Sequence, residues 1–373
     1  MADTPEWVGV VTATAIKYLK GQIRETVRNR VTLAMLESKG RIKYGQTGTE
    51  MRWNVQYDQH PMETFADDGQ LTFERHDLMR QLSINWRGYK TTDKFTEKER
   101  LMNRGDVAIV NRYADAISNL MESFRARFAP ELYIDGYATG NTNRICGLES
   151  FFGSGTTVAA DRLAQPSDTY ANKSTSLGNE GGTWSTDLSG ATNIPNAAVA
   201  TDWPDGSGDT AYDYLSPKLV NWSSTSWGTN SATTWEDNCE RAIGQALSWT
   251  TSTGGKEGRP DLLLLNSRMH NQFKDRQRAK QRVEVPYKAA QDLGFDDVMN
   301  FDGIGITADF DVPSNTGYLM NFDKMELLCL YDQLFYPRGP EYDIKTDSYL
   351  MHIGFFGNCR MRPRHFCKLK NFA

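Results

Sequence analysis

The stretch Asp106–Ala129, DVAIVNRYADAISNLMESFRARFA, decides how the rest of this chain can fold, and Pro130 follows it directly. Its apolar residues recur in steps of three and four while polar residues fill the opposite side, which predicts one long helix with one buried stripe. At about 1.5 Å per residue the helix would be roughly 36 Å long. We expect it to be the spine of a domain and to end abruptly at Pro130. Its predicted core residues are Val110, Tyr113, Ile117, Leu120, Phe124 and Phe128.

Two alternating stretches before this helix, residues 49–57 and 78–87, predict the strands of a β-hairpin with a broad polar tip. A two-stranded hairpin is only marginally stable in water, so its apolar face must pack against something else. Two interpretations stay open: the hairpin packs on its own domain, or it lies across a neighbouring chain. In the second case the bridging residues are Trp53, Val55, Tyr57, Leu82, Ile84 and Trp86.

The N-terminal residues 1–45 carry an amphipathic pattern on a segment rich in Lys and Arg. The apolar residues with helical spacing are Ile16, Leu19, Ile23, Val27 and Val31. This pattern predicts either a terminal helix packed on its own domain or an arm that reaches a neighbouring subunit.

Capping signals and apolar runs place the later elements. Thr96 with Glu99, and Thr233 with Glu236, have the form of capping boxes at the starts of helices. The wholly apolar run Leu262–Leu265 is typical of a buried strand, and a polar helix capped by Asn266 and Ser267 follows it. Further strands are predicted at residues 301–308, 317–322, 325–331, 349–356 and 359–369.

Residues 153–232 have a different composition, rich in Gly, Ser, Thr and Asn with interspersed tryptophans. The tryptophans are Trp184, Trp203, Trp222 and Trp227. This composition predicts a module that closes on itself, either a small β subdomain or an ordered loop pinned by its tryptophans. A Trp-rich polar module could also bind carbohydrate, although such aromatic residues more often form a miniature core.

Composition places the chain among folded, loop-rich proteins. The hydrophobic fraction is only 39%, but 11% aromatic residues argue against disorder. The net charge of −5 gives no electrostatic reason to expect binding to nucleic acid or to an anionic membrane. Five scattered cysteines, with no signal peptide and no apolar run of bilayer-spanning length, indicate synthesis in a reducing cytoplasm.

The sequence contains no P-loop, no serine-hydrolase motif, no HExxH and no CxxC, so we predict neither enzyme activity nor a cofactor. The best metal candidates are His352, Cys359, His365 and Cys367, but their spacing matches no standard zinc site and we predict no metal. Residues 205–209 offer oxygen ligands without the order of an EF-hand. An extended strand over 359–369 would have a buried face and a basic face, and we expect the basic face to pair with acidic residues of neighbouring subunits sooner than with DNA. The basic residues are Arg360, Arg362, Arg364, Lys368 and Lys370.

The order of these elements resembles that of a known family. An amphipathic arm, a long hairpin, a long helix, the turn Leu132–Gly136 and the step Ile145–Leu148 into a mixed domain are together similar to the major capsid proteins of tailed bacteriophages. Those proteins share the Hong Kong 97-type fold with encapsulin shells. The resemblance implies an α+β fold in five parts. They are an N-terminal arm (1–45), an extended hairpin loop (46–95), a peripheral domain with the spine helix (96–140 and 341–373), an axial domain (141–340) and its insertion (153–232).

The resemblance also implies a function. Such a chain assembles into the hexamers and pentamers of an icosahedral head, encloses double-stranded DNA without reading its sequence, and needs no active site and no membrane. Its partners would be further copies of itself, a separate scaffolding protein, a portal protein and, in some relatives, a decoration or cement protein. It would be assembled in the host bacterial cytoplasm and end in the virion. The alternatives are an encapsulin-type compartment and, from another class, a carbohydrate-binding protein built on residues 153–232.

One property of the founding relative is not expected here. In that protein a lysine on the extended loop is joined covalently to an asparagine of a neighbouring subunit. This chain has no lysine between Lys43 and Lys90, and the arginines there cannot replace it because a guanidinium stays protonated. We therefore expect a shell held together by noncovalent contacts, by the N-terminal arm or by a separate cementing protein.

Overall fold

The computed structural model describes residues 30–56, 60, 62, 64, 73–76, 78–102, 106–152, 163–164, 169–174, 215, 217–223, 233–253, 257–279 and 299–371. The helices are α1 (Val31–Ser38), α2 (Glu97–Met102), α3 (Asp106–Glu131), α4 (Glu149–Phe152), α5 (Trp235–Thr253) and α6 (Ser267–Ala279), with 3-10 turns at Phe322–Lys324 and Pro363–His365. The first strands are β1 (Ile42–Lys43), β2 (Glu50–Gln56), β3 (Met79–Asn85), β4 (Arg87–Thr96), β5 (Leu163–Ala164), β6 (Thr169–Tyr170), β7 (Lys173–Ser174) and β8 (Lys218–Asn221). The later strands are β9 (Leu262–Leu265), β10 (Met299–Phe301), β11 (Ile304–Ala308), β12 (Thr316–Met320), β13 (Met325–Cys329), β14 (Tyr336–Asp343), β15 (Ser348–Met361) and β16 (Cys367–Lys370).

Strands β1, β4, β13, β14 and β15 form a five-stranded sheet around β15. β15 pairs with β4 along all 10 residues of β4, and with β14 and then β13. Alternate residues of a strand face opposite sides of the sheet. On one side the ring of Phe355 lies 4.7 Å from that of Phe128 in α3. On the other side Leu350 and Phe356 are 41% and 42% exposed, so this sheet has one covered face and one open face.

The spine helix forms as predicted and buries Ile117, Leu120, Phe124 and Phe128. The side chains of Val110 and Tyr113 lie outside the described residues. The helix does not end at Pro130, because its last residue is Glu131. Pro130 lies in the final turn, and the helix is closed by the i−3 bond from Leu132 N to Ala129 O, 3.2 Å long.

The turn after the spine helix brings two glycines against backbone. Leu148 N donates to Leu132 O at 2.8 Å, and this bond joins the predicted turn Leu132–Gly136 to the predicted segment Ile145–Leu148. A Cβ at Gly147 would lie 2.6 Å from Leu132 O, and one at Gly136 would lie 2.6 Å from Ile145 O. Only glycine allows so close an approach, so this turn accepts no side chain at either position.

Seven strands form the second sheet, in the order β10-β11-β9-β12-β16-β8-β5. Leu262–Leu265, in β9, is buried on both faces, as its apolar run predicts. Leu262 and Leu264 join the core shared with α3 and the five-stranded sheet. Leu263 and Leu265 join a second core beneath α5 and α6.

Part of residues 153–232 belongs to this sheet. Strand β8 pairs with β16 and with β5, and its Val220 is fully buried. Tyr170 is also fully buried and accepts a hydrogen bond from Met361 N at 3.0 Å. The expectation of a separate insertion that closes on itself does not hold for these residues, since their contacts are with the main core. Trp184, Trp203 and Trp227 lie outside the described residues.

The C-terminal region contributes to both sheets. β15 is one strand of 14 residues, and the strand predicted at 359–369 is interrupted by the turn Pro363–His365 before β16 enters the seven-stranded sheet. The predicted basic face is therefore not continuous. Arg360 pairs with Glu326, and Lys368 is buried against Glu149.

The first described helix packs on its own chain. Val31, Leu33, Met35 and Leu36 of α1 are buried in the core shared with α3. Thr32 is buried too and lies 2.6 Å from the hydroxyl of Tyr133, oxygen to oxygen. The other residues of the predicted arm pattern, Ile16, Leu19, Ile23 and Val27, lie outside the described residues.

Candidate subunit interface

The stem of the hairpin forms with the predicted strands. β2 and β3 are antiparallel, with Trp53 opposite Leu82. Leu82 and Ile84 are 1% and 2% exposed and lie in the chain's own core. Trp53 and Val55 pack partly against that core, while Trp86 donates its indole N–H to Gly48 O at 3.0 Å. Any contact of the stem with a neighbouring chain therefore falls to the partly exposed residues, and Tyr57 lies outside the described residues.

A charged cleft of about 300 Å³ lies between the stem and the edge of the five-stranded sheet. The Glu326 carboxylate forms salt bridges with Arg360, with Lys43 at 3.0 Å and with Arg41 at 3.7 Å. Burial alone would raise the pKa of Glu326, but hydrogen bonds from Lys43 and Arg360 outweigh it and hold the pKa below its ordinary value. The guanidinium of Arg360 also lies 5.9 Å from the ring centroid of Trp53, which couples the hairpin to β15. The lining residues are Arg41, Trp53, Asn54, Glu257, Asp323, Lys324, Glu326, Arg360 and Arg362.

Four ring side chains on the open face of the five-stranded sheet form a second feature, which we call the aromatic face: Tyr331, Tyr336, His352 and Phe356. The rings of Tyr331 and Tyr336 are stacked with centroids 3.9 Å apart, and Phe356 lies 6.0 Å from Tyr336 at an interplanar angle of 17°. His352 meets Tyr336 edge-on at 5.9 Å. The rings of Tyr331 and Phe356 remain 41% and 42% exposed. This is an ordered apolar surface left open to solvent.

Comparison with known proteins gives a likeness in structure only. No protein-family model and no curated protein matches the chain. A chain of the cyanophage A-1(L) capsid is 14% identical, with 87% of this chain and 88% of that chain covered and a TM-score of 0.50. A chain of the capsid of the empty GTA particle is 10% identical, with 91% and 96% covered and a TM-score of 0.50. This chain has the fold of a phage major capsid protein.

In this capsid fold the predicted metal candidates are not brought together as ligands. Cys359 and Cys367 are fully buried in different cores. Burial raises the pKa of the Cys367 thiol to about 12 and also raises that of Cys359, so neither is a ready thiolate ligand. Within the described ranges, no group of three or more His, Cys, Asp or Glu side chains could hold a metal ion. Residues 205–209 are not among the residues described.

Two further observations bear on the other expectations. Trp222, one of the tryptophans considered for carbohydrate binding, is buried with its ring centroid 5.8 Å from that of Trp235, so it offers no binding surface. Among the described helices, none is long and apolar enough to cross a membrane.

Sequence reasoning missed the aromatic face because its parts come from separate segments. Tyr331 lies in the loop after β13, Tyr336 begins β14, and Phe356 lies in β15. The only local signal was in β4, where exposed Lys90 and Lys94 alternate with the partly buried Tyr89 and Phe95. That period of two is typical of a strand with one wet face.

Proposed function

We propose that this chain is the major shell subunit of a tailed double-stranded DNA phage, and that it assembles into the hexamers and pentamers of an icosahedral head. The observation that carries the proposal is the capsid fold over about nine tenths of the chain, 87% and 91% in the two comparisons above. The exposed apolar surfaces agree with it. Surfaces of this kind on a soluble chain are commonly contact sites for neighbouring subunits.

The hairpin is the proposed bridge between subunits. Its stem is fixed to β15, where Asn358 Nδ2 donates to Asn85 O at 2.8 Å. Beyond the stem, Met62 and Phe73 are 92% and 90% exposed, so the chain itself does not cover them. A hairpin whose stem is anchored and whose Met62 and Phe73 are uncovered is suited to reach a second chain.

The proposed assembly includes other chains. Scaffolding would come from a separate protein and the vertex from a portal protein, with a decoration or cement protein as an addition. The shell would enclose DNA without sequence-specific contacts, would need no catalytic residue, and would form in the host cytoplasm before becoming part of the virion. The subunits would be joined noncovalently, because residues 44–89 contain no lysine amine. Boiling particles in detergent and reductant should then release a single-chain band, whereas a resistant ladder of oligomers would contradict this.

Sedimentation and negative-stain electron microscopy of the expressed protein test the proposal. We expect capsomers or shells. A monomer whose hairpin amides are protected from hydrogen exchange would contradict it. Trp53→Ala with Trp86→Ala should give a folded chain that fails to assemble, since both rings are partly exposed on the stem. Trp53→Phe with Trp86→Phe is the matched control, which keeps two aromatic rings and should still assemble.

A further inference from the structure

Two histidines lie against each other in the hairpin tip, residues 57–77. His60 is four residues past the end of β2, and His76 is three residues before the start of β3. Their ring centroids are 5.7 Å apart, and the planes of the two rings meet at 81°. Both side chains are exposed, so solutes reach the pair directly. The pair belongs neither to the aromatic face nor to the charged cleft, and the proposed function assigns it no part.

The separation of the two rings suits two imidazoles that share one metal ion. Zinc binds an imidazole nitrogen at about 2.0–2.1 Å, and that nitrogen is about 1.15 Å from its own ring centroid. Two imidazoles on one ion therefore have centroids about 5.2 Å apart at the tetrahedral angle, and about 6.4 Å apart when the ion lies midway between them. The observed 5.7 Å falls between these values. Because both rings are exposed, rotation about their side-chain torsions can bring one nitrogen of each ring to the ion.

The charge of the hairpin tip favours a cation at this pair. The tip contains one arginine and six acidic residues: Asp58, Glu63, Asp67, Asp68, Glu74 and Asp77. This excess of negative charge raises the local concentration of cations around the two rings. Among the residues that the structure describes, no third His, Cys, Asp or Glu completes a group of three that could hold a metal ion. The two imidazoles are therefore the protein ligands, and water is left to fill the other positions.

We propose that His60 and His76 of one chain form a binding site for a divalent first-row transition metal ion such as Zn²⁺ or Cu²⁺. Each ring supplies one neutral nitrogen, which is the commonest metal ligand in proteins. Nitrogen ligands select these ions over Mg²⁺ and Ca²⁺, which prefer oxygen. The bound ion joins the two branches of the tip and closes residues 61–75 into a loop, which restricts their conformational freedom. The site does not depend on the proposed function, because one chain supplies both ligands.

Isothermal titration calorimetry of the full chain with Zn²⁺ tests the site, and we expect one ion per chain. His60→Gln and His76→Gln should each raise the dissociation constant at least about tenfold, since loss of a group that only orients a ligand already costs about 10–100-fold in affinity. The other three histidines are the buried His270 and His365 and the partly exposed His352. His352→Gln is therefore the matched control and should bind Zn²⁺ like wild type. Wild-type affinity in either tip variant would overturn the proposal.

Mixing the two tip variants separates a site within one chain from a site between chains. An equimolar mixture of His60→Gln and His76→Gln should bind Zn²⁺ as weakly as either variant alone, because no chain in it holds both rings. Recovery of wild-type affinity in the mixture would place the ion between copies and overturn the site as proposed. Electron paramagnetic resonance of the Cu²⁺ complex counts the coordinating nitrogens directly. We expect two in wild type and one in each variant, and equal counts in all three proteins would also overturn the proposal.

Discussion

The two sheets of this molecule bury their faces differently. In the seven-stranded sheet, β9 sends alternate leucines into two separate cores, so neither face meets water. In the five-stranded sheet, β15 packs Phe355 on the spine helix but leaves Leu350 and Phe356 about four tenths exposed. A sheet buried on both faces has no surface left for a partner. We therefore expect core substitutions to cost more stability in the seven-stranded sheet, and contacts with other chains to use the open face of the five-stranded sheet.

The largest expected effect is that of removing a strand from the seven-stranded sheet. Deleting residues 160–225 should leave no soluble folded protein, because β8 lies between β16 and β5 and Tyr170 fills the main core. This reverses what a self-contained insertion would predict. Expression followed by circular dichroism measures the outcome.

A narrower deletion provides the control. Replacing residues 178–212 by a Gly-Ser linker leaves every described strand in place, and the product should stay folded. A soluble 160–225 deletion variant with the wild-type spectrum would show that the fold does not need β8 in the seven-stranded sheet.

Two matched leucines compare the sheets directly. Leu264→Ala opens a cavity where the side chain is 0% exposed and should lower the free energy of unfolding by about 2–5 kcal/mol. Leu350→Ala removes the same atoms from a side chain that is 41% exposed, and should cost less than about 0.5 kcal/mol. Urea unfolding of the unassembled chain measures both. Equal losses would mean that the open face is covered within the chain.

Local signals in the sequence predicted the elements that local physics determines. The period of the spine helix, the alternation of the hairpin strands and the apolar run of β9 all appear in the structure. The capping box at Thr96 is also confirmed, since Glu99 N donates to Thr96 Oγ1 at 3.3 Å and Thr96 N donates to the Glu99 carboxylate at 3.2 Å.

Features that depend on pairing between strands far apart in the sequence could not be predicted from the sequence. β14 contains Pro337, Gly339 and Pro340, which argue against a strand, and it is tolerated only because it lies at an edge with a register shift. β8 begins with Lys218, a residue type that predicts exposure, yet this lysine is fully buried and donates to Arg364 O. The aromatic face could not be predicted either, because it depends on the registers of β4 and β14 against β15.

A histidine at the junction of the two sheets gives the next smaller effect. His365 lies in the turn between β15 and β16, and burial, followed by the neighbouring Arg364 and Lys218, lowers its pKa to about 3. Below the unfolded pKa of about 6.5, His365 is protonated in the unfolded chain but stays neutral in the folded chain. The free energy of unfolding therefore falls as the pH falls. We expect a loss of about 2 kcal/mol between about pH 6 and about pH 4.5.

His365→Gln should remove this acid sensitivity, as measured by urea unfolding at several pH values. His352→Gln, on the open face, is the matched control and should keep the wild-type slope. An unchanged slope in His365→Gln would place the acid-sensitive group elsewhere.

The smallest effect concerns the start of α5, which covers the second core, on one face of the seven-stranded sheet. The sequence pattern predicted a cap by Thr233 and Glu236, but the structure places it one residue later. Asp237 N donates to Thr234 Oγ1 at 3.4 Å, and the Thr234 hydroxyl donates to the Asp237 carboxylate at 2.6 Å. The shift has a physical cause, because the helix must begin at Trp235 for its indole to be buried and to donate to Met269 O at 2.9 Å. Tertiary packing thus chooses between two adjacent threonines that are equally good caps by composition. Thr234→Ala should cost about 1 kcal/mol and Thr233→Ala only a few tenths. Urea unfolding of the two variants measures both losses in the free energy of unfolding. A larger loss for Thr233→Ala would show that Thr233, the residue that the sequence pattern favoured, caps the helix.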